Sequence, residues 1–140
     1  MTRPEERRLA SRRFGWISLL AWAIAGLALE AMHGWKIGEY LDDELTRELL
    51  VLAHAHGVGL SLVVLVWGEA GAPLFAERPD GGASLALRIG AVLVPLAFAL
   101  SSIDHPEGDP NAMVWLVPVG ALLVIFALAC TAAAALRRPH

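Results

Sequence analysis

Four histidines and one glutamate stand at the ends of long apolar runs, where such groups are costly and usually functional. Glu30 and His33 close the first run, His54 and His56 lie near the start of the second, and His105 lies in a turn between the last two. Imidazole and carboxylate ligands suit Zn, Cu, Fe and Ni. The pattern therefore predicts a transition-metal or haem site. The candidate ligands of either a metal ion or haem are His33, His54 and His56. Glu30 and His105 are further candidate ligands of a metal ion.

Helical geometry decides which of these side chains share a face. Glu30 and His33 are three residues apart and lie on one face of a helix. His54 and His56 are separated by about 200° around the helix axis, so only one of them can face the first helix. We favour His54, because small and polar residues continue its face along the second run.

Other interpretations of the cluster remain open. The polar groups could form interhelical hydrogen bonds, which contribute about 0.6–2 kcal/mol in membranes, or a proton relay. His105 is either a fifth ligand or an ordinary turn residue. A ferritin-like di-iron centre is disfavoured, because it needs glutamates from two further helices and the third and fourth runs hold no buried carboxylate.

The runs that position these residues are long enough to cross a bilayer. The chain has 140 residues, of which 56% are hydrophobic and 18% charged, and its mean hydropathy is +0.56. One crossing needs about 20 apolar residues. We therefore predict an all-α integral membrane protein, a four-helix antiparallel bundle in contact with the lipid bilayer. The four predicted spans are 14–33, 49–68, 84–103 and 112–136.

Charge distribution predicts the orientation of these spans. A basic arm (1–13) precedes the single membrane domain (14–136), and a short tail (137–140) follows it. Short arginine-rich flanks stay in the cytoplasm, which predicts cytoplasmic termini in a bacterial inner membrane and a histidine cluster near the outer leaflet. The arm is a topology signal and predicts no nucleic-acid partner. Nine of the eleven basic residues then fall on the inner side (positions 3, 7, 8, 12, 13, 78, 88, 137 and 138).

Local signals predict details of the helices. Asp42 or Asp43 caps the second helix, which begins before the membrane, and Asn111 caps the fourth. The segment 69–82, rich in glycine and proline, reads as turns. Tryptophans should form belts at both interfaces, with Trp16 and Trp67 inside and Trp35 and Trp115 outside. The glycines predicted to allow close helix contact are Gly26, Gly57, Gly59, Gly90 and Gly120.

The segments 27–36 and 52–57 together resemble four-span bacterial membrane proteins of unassigned activity. The His-x-His-Gly element at 54–57 is also similar to elements of the haem-copper oxidase and NnrS-like superfamily. This resemblance covers about 30 residues and implies that His54 and His56 are metal or haem ligands. Those proteins have many more spans and further histidines, so the resemblance implies nothing about turnover.

Two functions follow from these observations. The first is a small membrane metalloprotein or cytochrome-like unit for electron transfer, metal handling or oxidase assembly. The second is a non-catalytic accessory subunit of a membrane complex, or of a homo-oligomer, in which the polar cluster forms interhelical hydrogen bonds. No residue pattern in the sequence specifies a reaction.

Overall fold

The computed structural model describes residues 3–76 and 79–137, with side chains described from residue 5 onward. Four long helices account for most of this part of the chain, and it contains no strand, which confirms the all-α prediction. Short helical segments flank them: an α-helical turn Gly38–Leu41, a π-helix Trp67–Gly71, and two 3₁₀ segments, Ala72–Phe75 and Ala112–Trp115. The long helices are α1 (Arg3–Gly34), α2 (Glu44–Val66), α3 (Ala83–Ser101) and α4 (Leu116–Leu136).

Each long helix lies in a segment that is long and apolar enough to cross a membrane. The 18-residue windows within these segments have mean hydropathies between 1.6 and 2.6. The chain is therefore a multi-pass membrane protein with four candidate spans, as the sequence predicted. These segments are Glu5–Gly34, Glu44–Phe75, Ala83–Ser101 and Ala112–Leu136.

The first helix extends further than its predicted span. The basic arm is not separate from it, because α1 is helical from Arg3 onward. Ion pairs hold this extension against the rest of the chain: the guanidinium groups of Arg8 and Arg12 lie 3.0 and 3.1 Å from the Glu69 carboxylate. Arg78, Arg138 and the remainder of the tail lie outside the described residues.

The second helix is also longer than predicted. Of the two predicted caps, Asp42 and Asp43, the N-cap is Asp43. Its carboxylate accepts a hydrogen bond from the Thr46 amide at 2.9 Å. At the other end, the sequence predicted turns over 69–82, but the chain remains helical as far as Phe75. The π-helix before Pro73 is a wider turn, and such a turn accommodates a proline that cannot donate to the helical ladder.

The buried core lies in the half of the bundle that contains the start of α1 and the end of α4, where α2, α3 and α4 converge. We call this half the terminal end, and the half that contains the turns around residues 35–43 and 102–111 the turn end. Small residues bring α3 and α4 together: a Cβ on Gly90 would lie 2.7 Å from the Gly120 carbonyl oxygen. The core residues are Val64, Trp67, Ala72, Phe75, Ala83, Ala86, Leu87, Ala91, Val124 and Ala127.

One of the four tryptophans predicted to form belts at the membrane interfaces does not lie in one. Trp16, Trp35 and Trp115 are exposed on the helices, as residues at a membrane interface would be. Trp67 is 3% exposed, and its indole N–H donates to the Thr131 hydroxyl of α4 at 2.8 Å. The prediction for Trp67 was therefore wrong, because the indole packs between helices instead of facing lipid.

Candidate functional site

A groove opens between α1 and α2 at the turn end of the bundle, outside the buried core. Its volume is about 670 Å³, within the range of ligand sites in proteins. Three of the five predicted ligands line it, namely Glu30, His33 and His54. We call this cavity the α1–α2 groove. Its other lining residues are Ala23, Gly26, Leu29, Tyr40, Arg47, Glu48 and Val51.

Two hydrogen bonds fix the register of the helices that form the groove. The His54 Nδ1 lies 2.9 Å from the Trp22 carbonyl oxygen, and the Ser61 hydroxyl donates to the Ser18 hydroxyl at 2.7 Å. Both bonds join α2 to α1. His54 lies against Gly26, and continuing outward from that contact in the antiparallel arrangement places Glu30 opposite residue 50.

The same register places Glu48 opposite residue 32, between the levels of Glu30 and His33. These three groups therefore share one layer of the groove. His54 falls opposite Gly26 and lies about 6 Å deeper, since four residues of helix rise about that far. Cβ atoms lean toward the N-terminus of their helix, so Glu30 leans inward and His54 leans toward it.

The surroundings of His54 determine which ring nitrogen it presents. A carbonyl oxygen only accepts hydrogen bonds, so the Nδ1 beside Trp22 carries the proton and the Nε2 of the neutral ring has a free lone pair. Metal-binding histidines usually have this arrangement, in which a backbone carbonyl fixes the tautomer. The ring fits because residue 26 is glycine: a Cβ there would lie 2.3 Å from the His54 Cε1.

His56 lies outside the groove, on the opposite side of α2. Its Nδ1 is 2.8 Å from the Leu52 carbonyl of its own helix, and its ring centroid is 5.0 Å from that of Phe98 in α3. His54 is the histidine that faces α1, which is the choice that the sequence favoured.

His105 also lies outside the groove, in the turn between α3 and α4. Its Nδ1 donates to the Pro106 carbonyl at 2.9 Å, and its Nε2 lies 2.9 Å from the Asp43 carboxylate and 3.0 Å from the Thr46 hydroxyl. The Pro106 carbonyl, and after it the charge of Asp43, raises the pKa of His105, although burial acts in the other direction. Hydrogen bonds from Thr46, together with His105, lower the pKa of Asp43 against the effect of desolvation. This contact joins the turn to the start of α2.

Groove residues that the sequence interpretation missed are Glu48, Arg47 and Tyr40. Helical spacing could have identified Glu48, because it lies as far from the start of α2 as Glu30 lies from the end of α1. Arg47 donates to the Leu41 carbonyl at 2.9 Å, which holds the turn that carries the buried Tyr40.

The groove brings metal-competent groups together without arranging them as a finished coordination shell. Within residues 3–76 and 79–137, no three His, Cys, Asp or Glu side chains are placed to hold a metal ion. Glu30, His33 and Glu48 are all exposed, so their side chains are free to change rotamer. Comparison with known proteins adds no further constraint, because no family model, curated protein or solved structure matches this chain.

Proposed function

We propose that this chain is a small membrane metalloprotein whose α1–α2 groove binds a transition-metal ion (Cu, Zn or Fe) or haem. The observation that carries the proposal is His54: its Nδ1 is held by a backbone carbonyl, and its Nε2 is left free in a groove that also contains Glu30, His33 and Glu48. Electron transfer, metal handling and oxidase assembly are the activities that such a site would serve.

A metal ion with mixed ligands suits the groove better than haem within one chain. In the register in which His54 lies against Gly26, His33 falls opposite residue 47 and lies about 10 Å from the level of His54. A haem held by two histidines of this groove would need both at a common depth, and His33 and His54 do not offer that. His56 and His105 are not part of the proposed site, because each has its contacts on another side of α2.

We further propose that the protein resides in a bacterial inner membrane with both termini in the cytoplasm and the groove near the outer leaflet. Basic side chains support this orientation, because they concentrate at the terminal end and short basic flanks remain inside. Candidate partners are other membrane subunits or further copies of the chain. The described basic side chains at the terminal end are Arg7, Arg8, Arg12, Arg13, Arg88 and Arg137.

The metal proposal is tested by comparing two substitutions of neighbouring histidines. His54→Ala removes the imidazole in the groove, and His56→Ala removes one two residues away that lies outside it. Loss of a ligand should lower metal affinity by more than the about 10–100-fold typical of supporting residues. His56→Ala should retain the wild-type affinity.

The measurements are the metal content, the metal affinity and the absorption spectrum of purified protein. Equal metal affinity in the two variants would contradict the role of His54. A wild-type protein that takes up neither metal nor haem would refute the proposed function altogether.

A second candidate function is supported by the two hydrogen bonds that cross between α1 and α2. If the His54–Trp22 and Ser61–Ser18 bonds serve only to fix helix register, the protein is an accessory subunit of a membrane complex. A colourless, metal-free preparation that co-purifies with a membrane partner would favour this function. Metal bound in proportion to protein would favour the first.

A further inference from the structure

The polar face of α1 lacks a cover within one chain. Glu30 and His33 are exposed, and only 6% of the residues in the most apolar window of this helix are buried. An uncovered carboxylate one turn inside a membrane span is costly, and such groups normally face protein. Of the remaining helices, α3 and α4 pack on the far side of α2 or at the terminal end, so they leave this face open.

We infer that a second copy of this chain covers the groove and that the two copies share one dinuclear metal centre. The inference rests on the proposed function: His54 of each copy remains a ligand, and the second copy adds the groups that one chain lacks. It commits to a two-fold dimer in which α1 and α2 of one copy face α1 and α2 of the other. Lipid, or a different subunit, would be the alternative occupant.

The ligand set supports a shared centre. Di-metal carboxylate bundles use one glutamate from each of two helices and a Glu-x-x-His pair from each of the other two. One copy supplies half of this set at one depth: Glu30 and His33 on α1 and Glu48 on α2. Two copies supply all of it. The absence of carboxylates from α3 and α4 disfavours a dinuclear centre in one chain but not in a pair.

The composition of the groove is also self-complementary. It contains the acidic groups Glu30 and Glu48 beside the basic group Arg47. In a two-fold interface the same patch meets itself, so acidic groups of one copy can lie opposite basic groups of the other. Ala23, which is small and exposed beside these groups, permits close approach of two helices in a membrane.

Disulfide cross-linking tests the arrangement in a Cys130→Ser background. Leu27→Cys reports on the proposed interface, because Leu27 is 71% exposed and continues the face of Ala23 and Glu30. Leu122→Cys is the matched control, since Leu122 is 66% exposed on α4. Both proteins are oxidised with diamide, with added Co²⁺ or with EDTA, and Co²⁺ binding is followed in parallel by absorption.

We expect Co²⁺ to increase the cross-linked dimer of Leu27→Cys and to leave Leu122→Cys unchanged. Adding Glu48→Gln should raise the Co²⁺ concentration for half-maximal cross-linking by more than the about 10–100-fold typical of supporting residues. Co²⁺ binding without preferential cross-linking of Leu27→Cys would overturn the dimer and leave the proposed function standing. Cross-linking that is identical with Co²⁺ and EDTA would overturn the shared centre. Absence of Co²⁺ binding in every state would overturn both.

Discussion

Gly26→Ala tests whether the contact between the two helices positions the candidate ligand. The added methyl group would lie 2.3 Å from the His54 Cε1 and 2.8 and 2.9 Å from its two ring nitrogens. The ring must therefore move, and its hydrogen bond to the Trp22 carbonyl must lengthen or break. Gly59→Ala is the matched control, because a Cβ at that position meets no atom within 4 Å.

The expected effect follows from three contributions. Overpacking costs about 1–3 kcal/mol, and the lost interhelical hydrogen bond costs about 0.6 kcal/mol. Alanine also forms helix more readily than glycine, by about 1 kcal/mol, but this gain is common to both variants. Gly26→Ala should therefore be less stable than Gly59→Ala by about 2–4 kcal/mol, which lowers its melting temperature by about 5–15 °C.

The assay is thermal unfolding of both variants in the same detergent, together with their metal affinity. If His54 is a ligand, Gly26→Ala should also bind metal more weakly than Gly59→Ala. Equal melting temperatures and equal metal affinities would refute the packing of His54 against residue 26. Reduced stability with unchanged affinity would assign His54 a purely structural role.

Two further predictions concern the turn end of the bundle. The pKa of His105 is raised and that of Asp43 is lowered. The extra stability of wild type over His105→Gln should therefore be fully present below pH 6.5, the ordinary histidine pKa. This extra stability should be lost as pH rises through the raised pKa of His105. The same extra stability should also be lost in strong acid, as pH falls through the lowered pKa of Asp43. The measurement is the melting temperature of wild type and of His105→Gln between pH 4 and pH 9. A difference between the two that stays constant over this range would contradict the prediction. The proposed orientation is tested by labelling Glu107→Cys in a Cys130→Ser background. This cysteine should react with a membrane-impermeant maleimide in intact spheroplasts. Reaction only after permeabilisation would reverse the proposed topology.

Hydropathy was sufficient to predict the helices, but their ends depend on contacts that a sequence does not show. The four spans follow from the apolar runs, and the caps Asp43 and Asn111 follow from residue type. The helical continuation to Phe75 was missed, because proline and glycine indicate turns unless a wider helical turn is available. The burial of Trp67 was missed for a similar reason, since its partner Thr131 lies on a distant helix.

The groove was partly predictable because helical spacing fixes faces and depths. Glu30 and His33 had to share a face, and the small stripe beside His54 indicated that it faces α1. The presence of a glycine did not by itself predict close contact between helices. Gly26 and Gly57 both lie under aromatic rings of the opposite helix, whereas Gly59 faces open space. The difference lies in the rotation of α2, which no single sequence specifies.

The ion pairs of Glu69 lie on the same helix face as a side chain far from them. Because α1 is one unbroken helix, its rotation about its own axis is the same at both ends. Arg12 and Glu30 are separated by about five whole turns and so project from the same face, about 27 Å apart. The contact of Arg12 with Glu69 therefore lies on the face of α1 that carries the Glu30 carboxylate into the groove. Events at one membrane surface, such as an anionic lipid that competes for Arg12, would thus act on the same helix face as a candidate ligand near the other surface.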